Sequence, residues 1–184
     1  MASSHSVTTH STSSLDSAAT PTDWAVLGFL AERPRHGFEI ARELSPASSV
    51  GRVWTVSRPL VYRALDRLRR RGWIRRRGNE HGHRGPEREV LEITPQGEEV
   101  FQSWLDQPVR HLRDVRSLLL LKLFFLERRG ESAAILRREQ RRILQPMAKS
   151  LARQATQTQG FDRLLYAWRL QFAAAVDNFL REEA

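Results

Sequence analysis

Between residues 60 and 68 the apolar positions Leu60, Val61, Ala64, Leu65 and Leu68 fall in one sector of a helix turning about 100° per residue. The opposite sector holds Arg58, Tyr62, Arg63, Asp66, Arg69 and Arg70, with Arg67 at its edge. The pattern predicts a helix with one face for a core and one for something negatively charged. Ser57 is its expected N-cap, Pro59 is tolerated in the first turn, and Gly72 ends it. Upstream, "WAVLGFLAER" follows Pro21-Thr22-Asp23 and predicts a buried first helix with Thr22 or Asp23 as N-cap. "PRHG" breaks it, and "FEIARELS" predicts a short second helix with Phe38, Ala41 and Leu44 recurring beside Ile40. After Gly72 the period changes to two. "WIRRR" and "REVLEI" alternate as strands, Leu91 and Ile93 share a face, and "GNEHGHRGP" joins them as a long hairpin tip. Thr94 and Pro95 then restart a helix as N-cap and first residue.

Helix, helix, helix, strand, strand over 21–94 is the order of a winged helix-turn-helix, the hairpin being the wing. The expected fold is mainly α with a small β-hairpin. Three parts are expected: a disordered Ser/Thr-rich tail over 1–20, a winged-helix domain over 21–108, and a helical region over 109–184. In the last part "RSLLLLKLFFLERRG" is apolar nearly all round and predicts burial on several sides. "ESAAILRREQRRILQPMAKSLARQ" is a longer amphipathic run in which Pro146 predicts a kink. The final helix gathers Phe161, Leu164, Leu165, Trp168, Phe172, Ala175, Val176 and Phe179 into one stripe.

Charge sharpens the picture. The chain of 184 residues carries a formal net charge of +9, and Lys122 and Lys149 are its only lysines. Residues 33–88 hold fifteen arginines against five acids, so that segment alone carries +10 and the remainder about −1. A GC-rich coding bias would spread arginine more evenly. A basic third helix followed by a basic wing is the electrostatic footprint of a double-stranded DNA binder. Cysteine is absent, which removes disulfides, thiolate metal sites and cysteine nucleophiles. No apolar run reaches spanning length and the N-terminus lacks a signal architecture, so a cytoplasmic protein with no membrane partner is expected. No nucleophile elbow, phosphate loop, dinucleotide-binding glycine pattern or paired-carboxylate motif is present, and no enzymatic activity or cofactor is expected.

Four pieces together resemble the PadR family of bacterial transcriptional regulators: His-Gly-aromatic at 36–38, Leu-x-Tyr-x-x-Leu at 60–65, Arg-Gly-Pro-x-Arg at 84–88 and Thr-Pro-x-Gly at 94–97. The resemblance extends over residues 24–184. It implies a dimeric repressor on an inverted-repeat operator, with the C-terminal helices holding the homodimer together and a planar aromatic effector releasing the DNA. Two other readings stand beside it: a nonspecific architectural DNA protein, and a winged-helix protein-interaction adaptor.

Candidate contacts follow from position. Ser57, Arg58, Arg63 and Arg67 lie on the recognition helix, whose N-terminal residues enter the major groove in helix-turn-helix proteins. The bland reading of these arginines is a solvated face. Tyr62 is similar to the family's phosphate-contacting tyrosine, or else a half-buried aromatic. Arg69, Arg70 and Arg71 complement the helix dipole. Arg84 and Arg88 flank the wing tip, where a narrow minor groove attracts arginine; the alternative is a mobile charged tip. Glu80, His81 and His83 lack a third ligand set at helical spacing, so no metal site is expected, and His36 is read as a turn or capping residue. The aromatic stripe of the last helix is first of all core or dimer interface. The resemblance implies that a planar effector can bind in this region, and because pockets between helices are often walled by aromatics, Trp168, Phe172, Phe124 and Phe125 are the expected lining.

Overall fold

The computed structural model describes residues 19–80 and 88–181, with backbone only at Asn79, Glu80 and Arg88. The expected N-terminal tail lies almost wholly outside the described residues, as do the wing tip with Arg84, the His81 and His83 pair, and the side chain of Arg88.

Helix α1 (Pro21–Glu32) begins two residues earlier than the sequence suggests. Thr20, not Thr22 or Asp23, is the N-cap: its hydroxyl accepts from the Asp23 amide, and the Asp23 carboxylate accepts from the Thr20 amide. This reciprocal capping box satisfies two amides that the first turn would leave open. A two-residue strand β1 (Arg35–His36) follows, which the sequence reading missed because two residues show no period. Helix α2 (Gly37–Glu43) starts at His36, which fills the expected turn role; its amide donates to Glu39. Ile40 and Leu44 are buried as expected, but Phe38 is 43% exposed and faces outward.

Helix α3 (Arg58–Arg70) has Ser57 at its N-cap position, though without a side-chain cap hydrogen bond. Val61, Ala64, Leu65 and Leu68 are buried, whereas Leu60, assigned to the same sector, is exposed because it sits in the first turn, at the sector's edge. Gly72 ends the helix at φ +72°, the left-handed conformation that a side chain disfavours. Strands β2 (Ile74–Glu80) and β3 (Arg88–Ile93) form the antiparallel wing, and β1 adds to the far side of β3, giving the order β1-β3-β2. An irregularity between Arg76 and Gly78 leaves Arg77 as the extra residue of a bulge. Helix α4 (Pro95–Asp106) is capped as expected: Thr94 accepts from the Gly97 amide.

The C-terminal helices are α5 (Leu120–Arg128), entered through a π-type turn over Val115–Leu119, α6 (Ala134–Gln157), with Pro146 inside it, and α7 (Gly160–Arg181). Helix α5 belongs to the core of the winged helix. Phe125 is buried edge-on against Phe29 and Phe101, and Gly28 makes room for it. A Cβ on Gly28 would lie 2.5 Å from the Phe125 ring. Beside it Trp24 stacks between Trp73 and Trp104, with centroids 5.8 and 4.8 Å away. The buried ammonium of Lys122 lies 4.0 Å from the Trp104 ring centroid and donates to the Trp104 carbonyl. Glu32 at the end of α1 pairs with both Arg35 and Arg128, so α1 and α5 are joined by charge as well. Hydrogen bonding to Glu32 raises the Arg128 pKa against its partial burial, while burial followed by the neighbouring Arg33 lowers that of Arg35.

Helix α6 reaches back to this core through Gln140, whose buried amide accepts from the Val109 N–H at 2.8 Å and donates to the Val109 carbonyl at 3.0 Å. Helices α6 and α7 pack as a hairpin closed by Arg141–Asp177 at 2.9 Å. Burial disfavours the Asp177 carboxylate, but hydrogen bonds from Arg141 and Arg181 outweigh it and hold its pKa below the ordinary value. On α7 only Ala173, Val176 and Leu180 are buried. The expected stripe is split: Val176 joins the core, while Phe161, Leu164, Trp168 and Phe179 are exposed. Among the described residues no helix is long and apolar enough to cross a membrane.

Candidate nucleic-acid interface

Helix α3 is amphipathic, and its buried row fixes its orientation. Val61, Ala64, Leu65 and Leu68 face α1 and α2, which leaves Ser57, Arg58, Tyr62, Arg63, Asp66, Arg69 and Arg70 pointing outward. The outward arginines are not equivalent. Arg69 pairs with Glu89 of β3 at 2.8 Å and so fastens the helix to the wing. Arg75 and Arg77 on β2 share Glu92, at 2.7 and 3.9 Å. Their charges are partly neutralised where they stand.

Arg67, at the edge of this face, pairs within the fold. Its guanidinium makes a two-pronged contact with Asp23, Nη2 at 2.7 Å and Nε at 3.0 Å from Oδ1. Asp23 is fully buried and already accepts from Thr20, so Arg67 completes the α1 cap from across the core. A planar fork of donors suits this site better than an ammonium.

Arg58 and Tyr62 form a cluster with a residue that the sequence reading had placed in the core. The Arg58 guanidinium carbon lies 5.1 Å from the Phe38 ring centroid and 5.8 Å from that of Tyr62. Both distances are within cation–π range. These three side chains line an open groove between α2, α3 and β3, together with His36, whose ring contacts the Glu89 carbonyl at 3.2 Å. The aromatic after His-Gly was the available signal for Phe38; a helical wheel drawn over seven residues misassigns it. Arg63 and Arg70 are exposed, and among the described residues neither has an ion-pair partner.

The four residues expected to line an effector site divide into two groups. Phe125 is in the core, and Phe124 packs against it and against Phe29 at 6.3 Å. Trp168 stacks on Phe172 at 6.1 Å on α7, with Trp168 64% exposed. Within one chain no ring contact joins the two pairs. Filling the space beneath Gly28 is what took Phe125 inward. Among the described residues no group of three acidic or histidine side chains is placed to hold a metal ion.

A three-helix unit with a paired-strand wing and an arginine-rich outer face on its third helix defines a winged helix-turn-helix fold. Residues 26–103 match the family described as the transcriptional regulator PadR-like family. The probable transcriptional regulator Rv1176c of Mycobacterium tuberculosis is 29% identical over 97 residues, covering 52% of this chain and 49% of that protein. The chain thus spans about half the length of this curated relative. Bacillus subtilis PadR in complex with operator DNA aligns over 86% of this chain and 94% of the solved chain, at 19% identity and a TM-score of 0.45. The same protein in complex with p-coumaric acid aligns over 89% and 94%, at 18% identity and a TM-score of 0.40.

Proposed function

We propose that this chain binds double-stranded DNA in the cytoplasm as a homodimer on an inverted-repeat operator, and represses transcription until a planar aromatic effector releases it. The outer face of α3 carries this reading. Arg58, Arg63 and Arg70 are exposed there beside Tyr62, free of carboxylate partners among the described residues, in the segment that holds the chain's +10 charge. A solvated face needs no such concentration of one sign. Ser57, at the helix start, is exposed and within the same surface. Arg84 and Arg88 add two further arginines to the same stretch of sequence.

The test is capture of genomic fragments by the purified chain, followed by titration of a captured duplex at several salt concentrations. A protein neutralising six to ten phosphates loses roughly 10³- to 10⁵-fold in affinity between about 50 and 200 mM salt. Captured fragments that bind no better than random DNA would favour the architectural reading. Absence of duplex binding at low salt would favour the adaptor.

The effector part of the reading rests on Trp168 and Phe172 alone. A stacked, half-solvated pair on α7 offers a planar compound an aromatic wall, and insertion there alters a surface proposed to hold two protomers at a fixed angle. With a panel of phenolic acids, we expect saturable quenching of tryptophan emission together with release of DNA. Trp168→Phe is expected to spare DNA binding and blunt the release. An effect of the panel on DNA affinity that survives intact in Trp168→Phe would move the site elsewhere.

A further inference from the structure

The two kinds of exposed cation on α3 point to different tasks, and this inference rests on the DNA-binding reading above. Arg63 and Arg70 project without ring or carboxylate contacts among the described residues. Such unrestrained guanidinium groups are suited to phosphates, which accept hydrogen bonds in many geometries. Arg58 is different. It is the first residue of α3, the end that enters a major groove. Its guanidinium is held by two rings, Phe38 from α2 and Tyr62 one turn along α3.

Contact with rings restrains an arginine differently from an ion pair. A carboxylate occupies the N–H edge of the guanidinium and cancels its charge. A ring engages the cation through its π-face, so the charge is kept and edge donors remain for a ligand. The restraint also lowers the side-chain entropy lost on binding. Asp66 lines the same groove without an ion pair to Arg58, and Glu89, the other acid there, is taken by Arg69. Phe38 and Tyr62 are 43% and 41% exposed.

We infer that Arg58 is the specificity-determining residue of this chain, a guanidinium pre-positioned by Phe38 and Tyr62 to donate in bidentate fashion to O6 and N7 of a guanine in each operator half-site. Arg63 and Arg70 supply sequence-independent phosphate contacts. A planar fork matched to two acceptors discriminates guanine from the other bases, and no ammonium reproduces it.

The experiment is selection from a random-sequence duplex library by the full chain and by Arg58→Lys, Arg58→Ala, Phe38→Ala and Arg63→Ala, with thermal melts to confirm folding. The wild-type pool is expected to contain one guanine per half-site preferred by roughly 5- to 150-fold, the span a good bidentate pair supports. Arg58→Lys and Arg58→Ala lose that preference while keeping those at other positions, and Phe38→Ala weakens it. Arg63→Ala keeps the guanine but binds all sequences more weakly, with a shallower salt dependence. A wild-type motif that Arg58→Lys and Arg58→Ala retain unchanged overturns the assignment and leaves DNA binding intact. Failure of the wild-type chain to retain any duplex at low salt overturns the DNA-binding reading, and this inference with it.

Discussion

Replacing Phe161 and Leu164 together by glutamate is expected to convert the protein to a monomer and to weaken binding to a palindromic duplex by about 10²- to 10⁴-fold, the usual gain from linking two binding modules. Phe161, Leu164, Trp168 and Phe179 form an exposed apolar row on α7, with Ile135 also exposed at the start of α6. Contiguous apolar surface of this kind on a soluble chain marks an interaction site. Two recognition helices reach successive major grooves only when held about 34 Å apart. A second copy of the chain covering α7, as proposed above, would supply both needs. The two substituted side chains are largely solvent-exposed in the single chain, so their loss leaves its core untouched. Sedimentation or light scattering reads the mass, and titration of the duplex reads the affinity. A variant that stays dimeric, or a monomer that binds the palindrome as tightly as wild type, refutes this role for α7. Truncation after α4 is a poorer test. It would remove Phe125 from between Phe29 and Phe101, and Lys122 from Trp104, and so expose the winged-helix core.

Asp23→Ala is expected to destabilise the fold by about 3 kcal/mol, because it removes the buried acceptor of the α1 capping box and the partner of the half-buried Arg67 guanidinium. Asp23 is fully buried and accepts from the Thr20 amide, the Thr20 hydroxyl and the Arg67 guanidinium. Alanine removes the capping box and the cross-core pair at once. For a chain of this size such a loss lowers Tm by roughly 6–12 °C. Arg67→Ala tests the other side: it too is expected to lower Tm, with duplex affinity measured well below Tm unchanged. A stable Arg67→Ala with weakened DNA binding would return Arg67 to the DNA-contacting set.

Local rules carried far along this chain. Period and caps were enough for α3, the wing strands and α4, because Ser57, Gly72, Thr94 and Pro95 each act on backbone within a few residues. The same rules misplaced the start of α1, where Thr20 competes with Thr22 and Asp23 and wins through a reciprocal bond. They also missed β1, whose two residues become a strand only by pairing Arg35 with Leu91 and His36 with Val90, more than fifty positions away.

The sequence by itself determined the order of elements, the concentration of positive charge between residues 33 and 88, and the basic face of α3, since all three depend on spacing and composition alone. Only the tertiary structure decided which arginines remain available. Arg67 meets Asp23, Arg69 meets Glu89 and Arg58 meets Phe38 through contacts between elements, and no one-dimensional pattern encodes which opposite charge or ring will arrive. It also decided that Phe125 is core while Trp168 is surface. Both sit in apolar helical runs, but Gly28 opens a space for one ring and α6 covers only the inner edge of the other's helix. A helical pattern tells which residues share a face; what packs against that face is settled by the rest of the chain.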